Sequence, residues 1–152
     1  MELLSEEEVR KRIKKYFKVG ELVGSRTHRA SGENAWYYLD YRLLYTLLII
    51  REKLGKPITI NKGRQKQRGL RSIAQQMVKN KVYKNKLYLS MHLFGKAVDF
   101  DVKGMTAKQV RGWIRANEEL FPFKIRLEGG VSWCHVDTKW MDKNPKIYTF
   151  TV

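Results

Sequence analysis

Cysteine occurs once in this chain, at Cys134. A single thiol excludes an intramolecular disulfide and a zinc site built from cysteines. Long apolar runs are missing too. The longest, Leu43 to Ile50, falls far short of the ~20 residues that cross a bilayer. Acidic residues are absent from one long stretch: from Lys62 to Lys86 there are nine basic residues and no acidic one. There is no internal repeat, low-complexity segment or linker. The opening residues Met1 to Glu8 are acidic and polar, the reverse of the basic-then-apolar pattern of a secretory signal. The expectation is a chain without signal peptide or membrane span.

What is present suits one folded domain. The chain has 152 residues, 43% of them hydrophobic, which is enough for a single core. Thirty-one Lys and Arg against fifteen Asp and Glu give a net charge of +16. The basic stretch 62–86 attracts polyanions over a Debye length of ~8–10 Å. Nucleic acid, an anionic cell-wall polymer and plain solvation of a lysine-rich loop are all compatible with it. Against nucleic acid, no helix concentrates the basic residues and no recognised nucleic-acid motif is present.

In chain order, Ser5-Glu-Glu-Glu8 is a capping box that opens a helix through Tyr16, with Val9 and Ile13 on one side. Residues 17–39 are mixed, with a polar loop over 25–32 that leaves His28 at the surface. Asp40 begins a second helix, Tyr41 to Leu54, which Gly55 stops; its leucines mark it as the central buried helix. A short strand, Ile58 to Ile60, leads into the basic loop, and 71–79 has room for a turn or two of helix. Lys86 to Ser90 and Lys96 to Val102 read as strands. In the second, Ala97, Asp99 and Asp101 face one way while Val98, Phe100 and Val102 face the other. Thr106 to Gln109 is another capping box, whose helix runs to Leu120. Residues 124–138 read as a hairpin about the two-residue turn Gly129-Gly130, and 146–152 as a last strand. The expected fold is α+β: a single domain over 1–152, with 1–16 an N-terminal helix, and two or three helices packed against one antiparallel sheet.

The chemistry concentrates in Ser90-Met-His92-Leu-Phe-Gly95-Lys-Ala97-Val-Asp99 and Trp133-Cys-His135-Val-Asp137. Two imidazoles and a carboxylate on neighbouring strands form a three-ligand zinc set with one position left for water, whose pKa zinc lowers toward ~7. A histidine and an aspartate seven apart are also compatible with a purely structural role. The neighbours sharpen the pattern, since Ser90, Gly95 and Ala97 are small where a turn must bring the two ligands together. Cys134 points away from His135 along the strand and is expected to be a small core residue.

These two motifs resemble the zinc D-Ala-D-Ala carboxypeptidase and L-Ala-D-Glu endopeptidase family of peptidoglycan peptidases, which includes phage endolysins. Glu21-Leu-Val23, Arg51 to Ile58, Ile58 to Asn61 and Arg68-Gly-Leu-Arg71-Ser72 follow in the family's order, so the likeness spans roughly residues 17–140. It implies a hedgehog / D-Ala-D-Ala peptidase-like fold and one zinc ion on His92, Asp99 and His135. It also implies that Arg71 holds a substrate carboxylate or carbonyl. Read from the residues themselves, Asp137 shares the face of His135 two residues away and is expected to orient a ligand or Arg71, and Ser90 to support the turn that carries His92. Arg64 and Arg68 match less well and are expected to be solvated.

Many family members carry an acid three residues before the last zinc histidine; here that position is Ser132. Glu128 is the nearest upstream carboxylate and the expected general base. With a tight turn at 129–130 it would lie roughly 13 Å along the strand from His135. Only a wider loop would fold it back, and Asp137 is the alternative base. Trp133 and Trp36 are candidates for lining the cleft or for the core. The implied activity is zinc-dependent hydrolysis of peptidoglycan stem peptides by a monomer that acts on the wall after release from a host cytoplasm, or as a virion component. The basic stretch would hold it to anionic wall polymers. The rival readings are a catalytically inactive metal-binding wall or virion protein and a basic nucleic-acid-binding protein.

Overall fold

A computed structural model describes residues 3–73, 75–84, 87–142 and 145–152. Ser5 caps the first helix, α1 (Glu6–Ile13), by accepting the Glu8 N–H, and the helix buries Val9 and Ile13. Residues 17–39, expected to be mixed with a polar loop, are helical instead. They form α2 (Val19–Val23), α3 (Ser25–Ser31) and a 3₁₀ segment Gly32–Tyr38. His28 is exposed, as expected, but on a helix.

Asp40 caps α4 (Tyr41–Leu54) through the N–H groups of Arg42 and Leu43, and Gly55 ends it in a left-handed conformation. Eight consecutive residues of α4, Leu43 to Ile50, are buried, so this helix is the centre of the core. The expected turns at 71–79 are a full helix further on, α5 (Gln76–Tyr83). Thr106 and Gln109 form a reciprocal capping box on α6 (Ala107–Ala116), and a 3₁₀ turn follows over Glu118–Leu120.

Among the described residues, five strands form one sheet: β1 (Ile58–Thr59), β2 (Ala97–Val102), β3 (Ile125–Glu128), β4 (Cys134–Asp137) and β5 (Ile147–Phe150), in the order β1-β2-β4-β3-β5. The α+β class is as expected, but two details are corrected. Six α-helices are present among the described residues rather than two or three. The sheet is mixed rather than antiparallel, because β5 runs parallel to β3. Burial and alternation announce a strand, whereas its direction is set by how the tail returns past β3. The expected strand over 86–90 is also absent from residues 87–90; Lys86 itself lies outside the described residues.

The alternation in β2 divides the sheet's two faces. Val98, Phe100 and Val102 join the core with α4 and α6, along with Leu127 of β3 and Val136 of β4. Asp99 and His135 lie on the other face and are paired directly across the β2–β4 ladder.

Candidate metal centre

Ser90 caps a short 3₁₀ segment, Met91–Phe94, by accepting the His92 N–H. Gly95 ends that segment at φ +65, and a side chain there would place its Cβ 1.9 Å from the Tyr38 carbonyl oxygen. The Gly95 carbonyl in turn accepts the Asp40 N–H at 2.9 Å. Gly95 is therefore required by close backbone packing against Tyr38 and Leu39, a different reason from proximity to a metal. Chain reversal at Gly95 feeds β2 back beside His92.

Three donors converge here. His92 Nδ1 donates to the Gly69 carbonyl at 2.9 Å, which leaves Nε2 turned toward Asp99 Oδ2 at 3.3 Å. His135 Nε2 donates to Asp137 Oδ2 at 2.8 Å, and its Nδ1 lies 2.7 Å from Asp99 Oδ1. The ligand atoms of His92, Asp99 and His135 all lie within 4.8 Å of one another and are buried. Zinc bonds of ~2.0–2.2 Å in a tetrahedron need donors roughly 3.3 Å apart. The set fits a divalent ion, and each histidine's far nitrogen is already held by an acceptor, which fixes ring orientation and tautomer.

The charges are strongly coupled. Burial opposes ionisation of Asp99, but hydrogen bonds to His135 and His92 and their charges outweigh it and hold its pKa well below the usual carboxylate range. Burial would likewise lower the His135 pKa, yet its bonds to Asp137 and Asp99 raise it to about 9. In the metal-free protein that imidazolium occupies the gap between two carboxylates, and a cation there replaces a proton.

Asp137 is fully buried and saturated. Its two oxygens accept Arg126 Nε and Nη2, each at 2.7 Å, the Lys139 N–H at 3.0 Å and the His135 ring. Burial raises its pKa, but the bonds from His135 and Arg126 bring it below the ordinary value. Arg126 also stacks over Phe150, 4.4 Å from the ring centroid, and Phe150 meets His135 edge-on.

Glu128 is where the expected hairpin is corrected. β4 begins at Cys134, so the connection from β3 is the five-residue loop 129–133 rather than a two-glycine turn. The register pairs Arg126 with Asp137 and Leu127 with Val136. Continued by one residue, it sets Glu128 opposite His135, not ~13 Å away. Glu128 lines the same cleft, and among the described residues its carboxylate takes part in no hydrogen bond or ion pair. That cleft, about 370 Å³, is lined by Arg71, His92, Asp99, Glu128, Trp133 and His135, among others.

Arg71 reaches it with Nη2 3.4 Å from Asp99 Oδ2, while Nη1 donates to the Tyr88 hydroxyl at 2.8 Å and Nε to the Gln67 carbonyl at 2.7 Å. Arg68, expected to be solvated, is instead paired with Asp101, and its carbonyl accepts the Asp99 N–H. Arg64 is exposed as expected. Cys134 is buried in the core, where desolvation pushes its thiol pKa up to about 12. Trp36 belongs to the core and Trp133 to the cleft.

Comparison with known proteins yields no matching family model, no matching curated protein and no matching solved structure. The likeness to the zinc peptidases rests on the motif residues alone.

Sequence reasoning missed Arg126, Tyr88 and the Gly69 carbonyl. A period-two reading of β3 could have found Arg126, which shares a face with Glu128. A backbone carbonyl leaves no side-chain signal, and Tyr88 comes from an irregular segment.

Proposed function

We propose that this protein is a zinc-dependent peptidase that hydrolyses a peptide bond in peptidoglycan stem peptides, a phage or phage-derived wall enzyme of hedgehog / D-Ala-D-Ala peptidase-like fold. The observation that carries this reading is the meeting, in one cleft, of a His92–Asp99–His135 donor set with a Glu128 carboxylate that has no ion-pair partner among the described residues.

His92 Nε2, Asp99 and His135 Nδ1 would hold the ion. A zinc ion so held supplies Lewis acidity for a carbonyl and acidifies water. The chain's own residues do the rest. Glu128 takes the proton of the attacking water and returns it to the leaving amine. Asp137 is unsuited to that task, because all of its near neighbours are donors and its pKa is lowered. It keeps the His135 ring turned instead. Three of the five N–H groups of Arg71 are engaged, which leaves two for a substrate carboxylate or carbonyl.

Lys62, Arg64, Lys66, Lys81 and Lys84 are exposed and suit attachment to an anionic wall polymer. Within the same stretch, Arg68 is paired with Asp101 and Arg71 reaches Asp99 in the cleft. The inactive metal-binding alternative is favoured if no acidic group reaches the metal, and the place of Glu128 in the cleft supports the active reading over it.

The test is the His92→Ala variant. It should lose stoichiometric zinc and all release of peptide from purified peptidoglycan. A variant that still cleaves removes the enzyme reading.

A further inference from the structure

Tyr88 belongs to the irregular segment 87–90, which forms one rim of the cleft: Tyr88, Leu89 and Ser90 all line it, and Leu89 is exposed. Tyr88 is itself partly exposed, and among the described residues its hydroxyl makes one hydrogen bond, to Arg71 Nη1 at 2.8 Å. A guanidinium only donates, so the hydroxyl oxygen accepts in that bond. Its own proton has no acceptor among the described residues.

That bond also fixes where the hydroxyl stands. Arg71 Nε donates to the Gln67 carbonyl at 2.7 Å, and Nη2 lies 3.4 Å from Asp99 Oδ2. The Arg71 backbone N–H donates to the His92 carbonyl at 2.9 Å, which ties the arginine to the turn that carries a metal-set histidine. One guanidinium head therefore touches Tyr88 with one nitrogen and the metal-set carboxylate with the other. The phenol hydroxyl is held at the metal end of the arginine, beside the two N–H groups that Arg71 has left for a ligand. A hydroxyl that accepts from a cation is polarised and donates more strongly in turn. Bonds from such donors to an anion are the strong class.

We propose that the Tyr88 hydroxyl donates its proton to the substrate group that Arg71 binds, and that the pair selects a free carboxylate beside the cleaved bond over an uncharged carbonyl. The proposal rests on the peptidase reading for the identity of the peptide. A carboxylate is acceptor-only and offers about four lone-pair sites, enough for two Arg71 N–H groups and the Tyr88 O–H together. A carboxamide in the same place has one oxygen and turns an NH₂ donor toward a site made of donors, so it leaves part of that site unpaired. Tyr88 is on this account a specificity residue, and its removal lowers the preference for the acid more than it lowers hydrolysis of the amide.

The probes are the stem pentapeptide L-Ala-γ-D-Glu-L-Lys-D-Ala-D-Ala and its analogues with the D-Glu α-carboxylate, the terminal carboxylate, or both converted to carboxamides. Zinc-loaded wild type should favour the pentapeptide over the analogue amidated beside the cleaved bond by about 100-fold in kcat/KM. In Tyr88→Phe, which keeps the ring, that preference should fall to about tenfold with zinc stoichiometry unchanged. Meta-fluorotyrosine at position 88 then separates binding the substrate from holding Arg71. Fluorine makes the hydroxyl a better donor and a poorer acceptor, so KM for the pentapeptide should fall; a hydroxyl that only holds Arg71 would raise it or leave it alone. The fluorine resonance should also move on titration with the pentapeptide and stay still with the doubly amidated peptide. A preference unchanged in Tyr88→Phe, a KM that does not fall with the fluorinated ring, or a resonance that the pentapeptide does not move overturns the proposal. Should the resonance move with the pentapeptide alone while no stem peptide is cleaved, the peptidase reading fails and the carboxylate contact of Tyr88 stands.

Discussion

Asp137 Oδ2 accepts the Nε2–H of His135 at 2.8 Å and so commits the opposite nitrogen, Nδ1, to Asp99. One buried carboxylate thus sets the ligand face of the ring two residues away. Arg126 holds that carboxylate with two parallel bonds, and Phe150 covers Arg126.

Asp137→Asn keeps the shape and one acceptor but removes the charge. Zinc affinity should fall by about 10–100-fold, as when the hydrogen-bond partner of a metal-bound histidine is changed. Competition with a chromophoric chelator measures it. An affinity equal to wild type would mean that Asp137 does not orient His135.

The metal-free protein should have a distinct pH dependence. The folded-state pKa of His135 is raised from 6.5 to about 9. Its contribution to stability is therefore complete below pH 6.5 and is lost as pH rises through about 9. The shift corresponds to on the order of 3 kcal/mol. Asp99 and Asp137 have lowered pKa values, so their contribution is present above the ordinary carboxylate range and fades in acid. Thermal melts of chelated protein should show Tm falling between pH 6.5 and 9. Zinc-loaded protein should lose that slope, because the metal takes the place of the Nδ1 proton. A chelated protein with flat Tm over this range would contradict the coupling.

Glu128→Gln retains size and hydrogen bonding but cannot carry a proton. It should bind one equivalent of zinc with wild-type affinity and lose about 10²–10⁴-fold in kcat on peptidoglycan fragments. A loss of zinc instead of rate would assign Glu128 to the metal.

Gly95→Ala should be costly for backbone reasons alone. The position has φ +65, and the new Cβ would meet the Tyr38 carbonyl at 1.9 Å. The left-handed conformation alone costs about 1–2 kcal/mol for an L-residue, and the collision adds to it. Denaturant melts should show a loss of at least ~2 kcal/mol. Wild-type stability would mean that the turn before β2 is looser than its geometry indicates.

Side-chain chemistry and local periodicity made much of this legible from sequence. The His92–Asp99–His135 set was named from residue types together with the likeness of its two motifs to a zinc-peptidase family, since spacing alone is compatible with a structural role, and the structure brings the three together. The bounds of α4 followed from Asp40, the leucine run and Gly55. Glu128 could be named but not placed, because its distance from His135 depends on where β4 begins, and Val131 to Trp133 carry no decisive turn signal. Arg126, Arg111 and the Gly69 carbonyl act through partners distant in the chain, which local patterns do not encode. The parallel entry of β5 depends on the path of the tail past β3, and no periodicity in Ile147–Phe150 specifies direction.

The most direct test of the central claim is mass spectrometry of purified peptidoglycan after incubation with zinc-loaded protein, with and without a chelator. One new class of stem-peptide terminus should form with zinc, vanish with chelator and return when zinc is restored. Protein carrying one zinc per chain that leaves every stem peptide intact would contradict it.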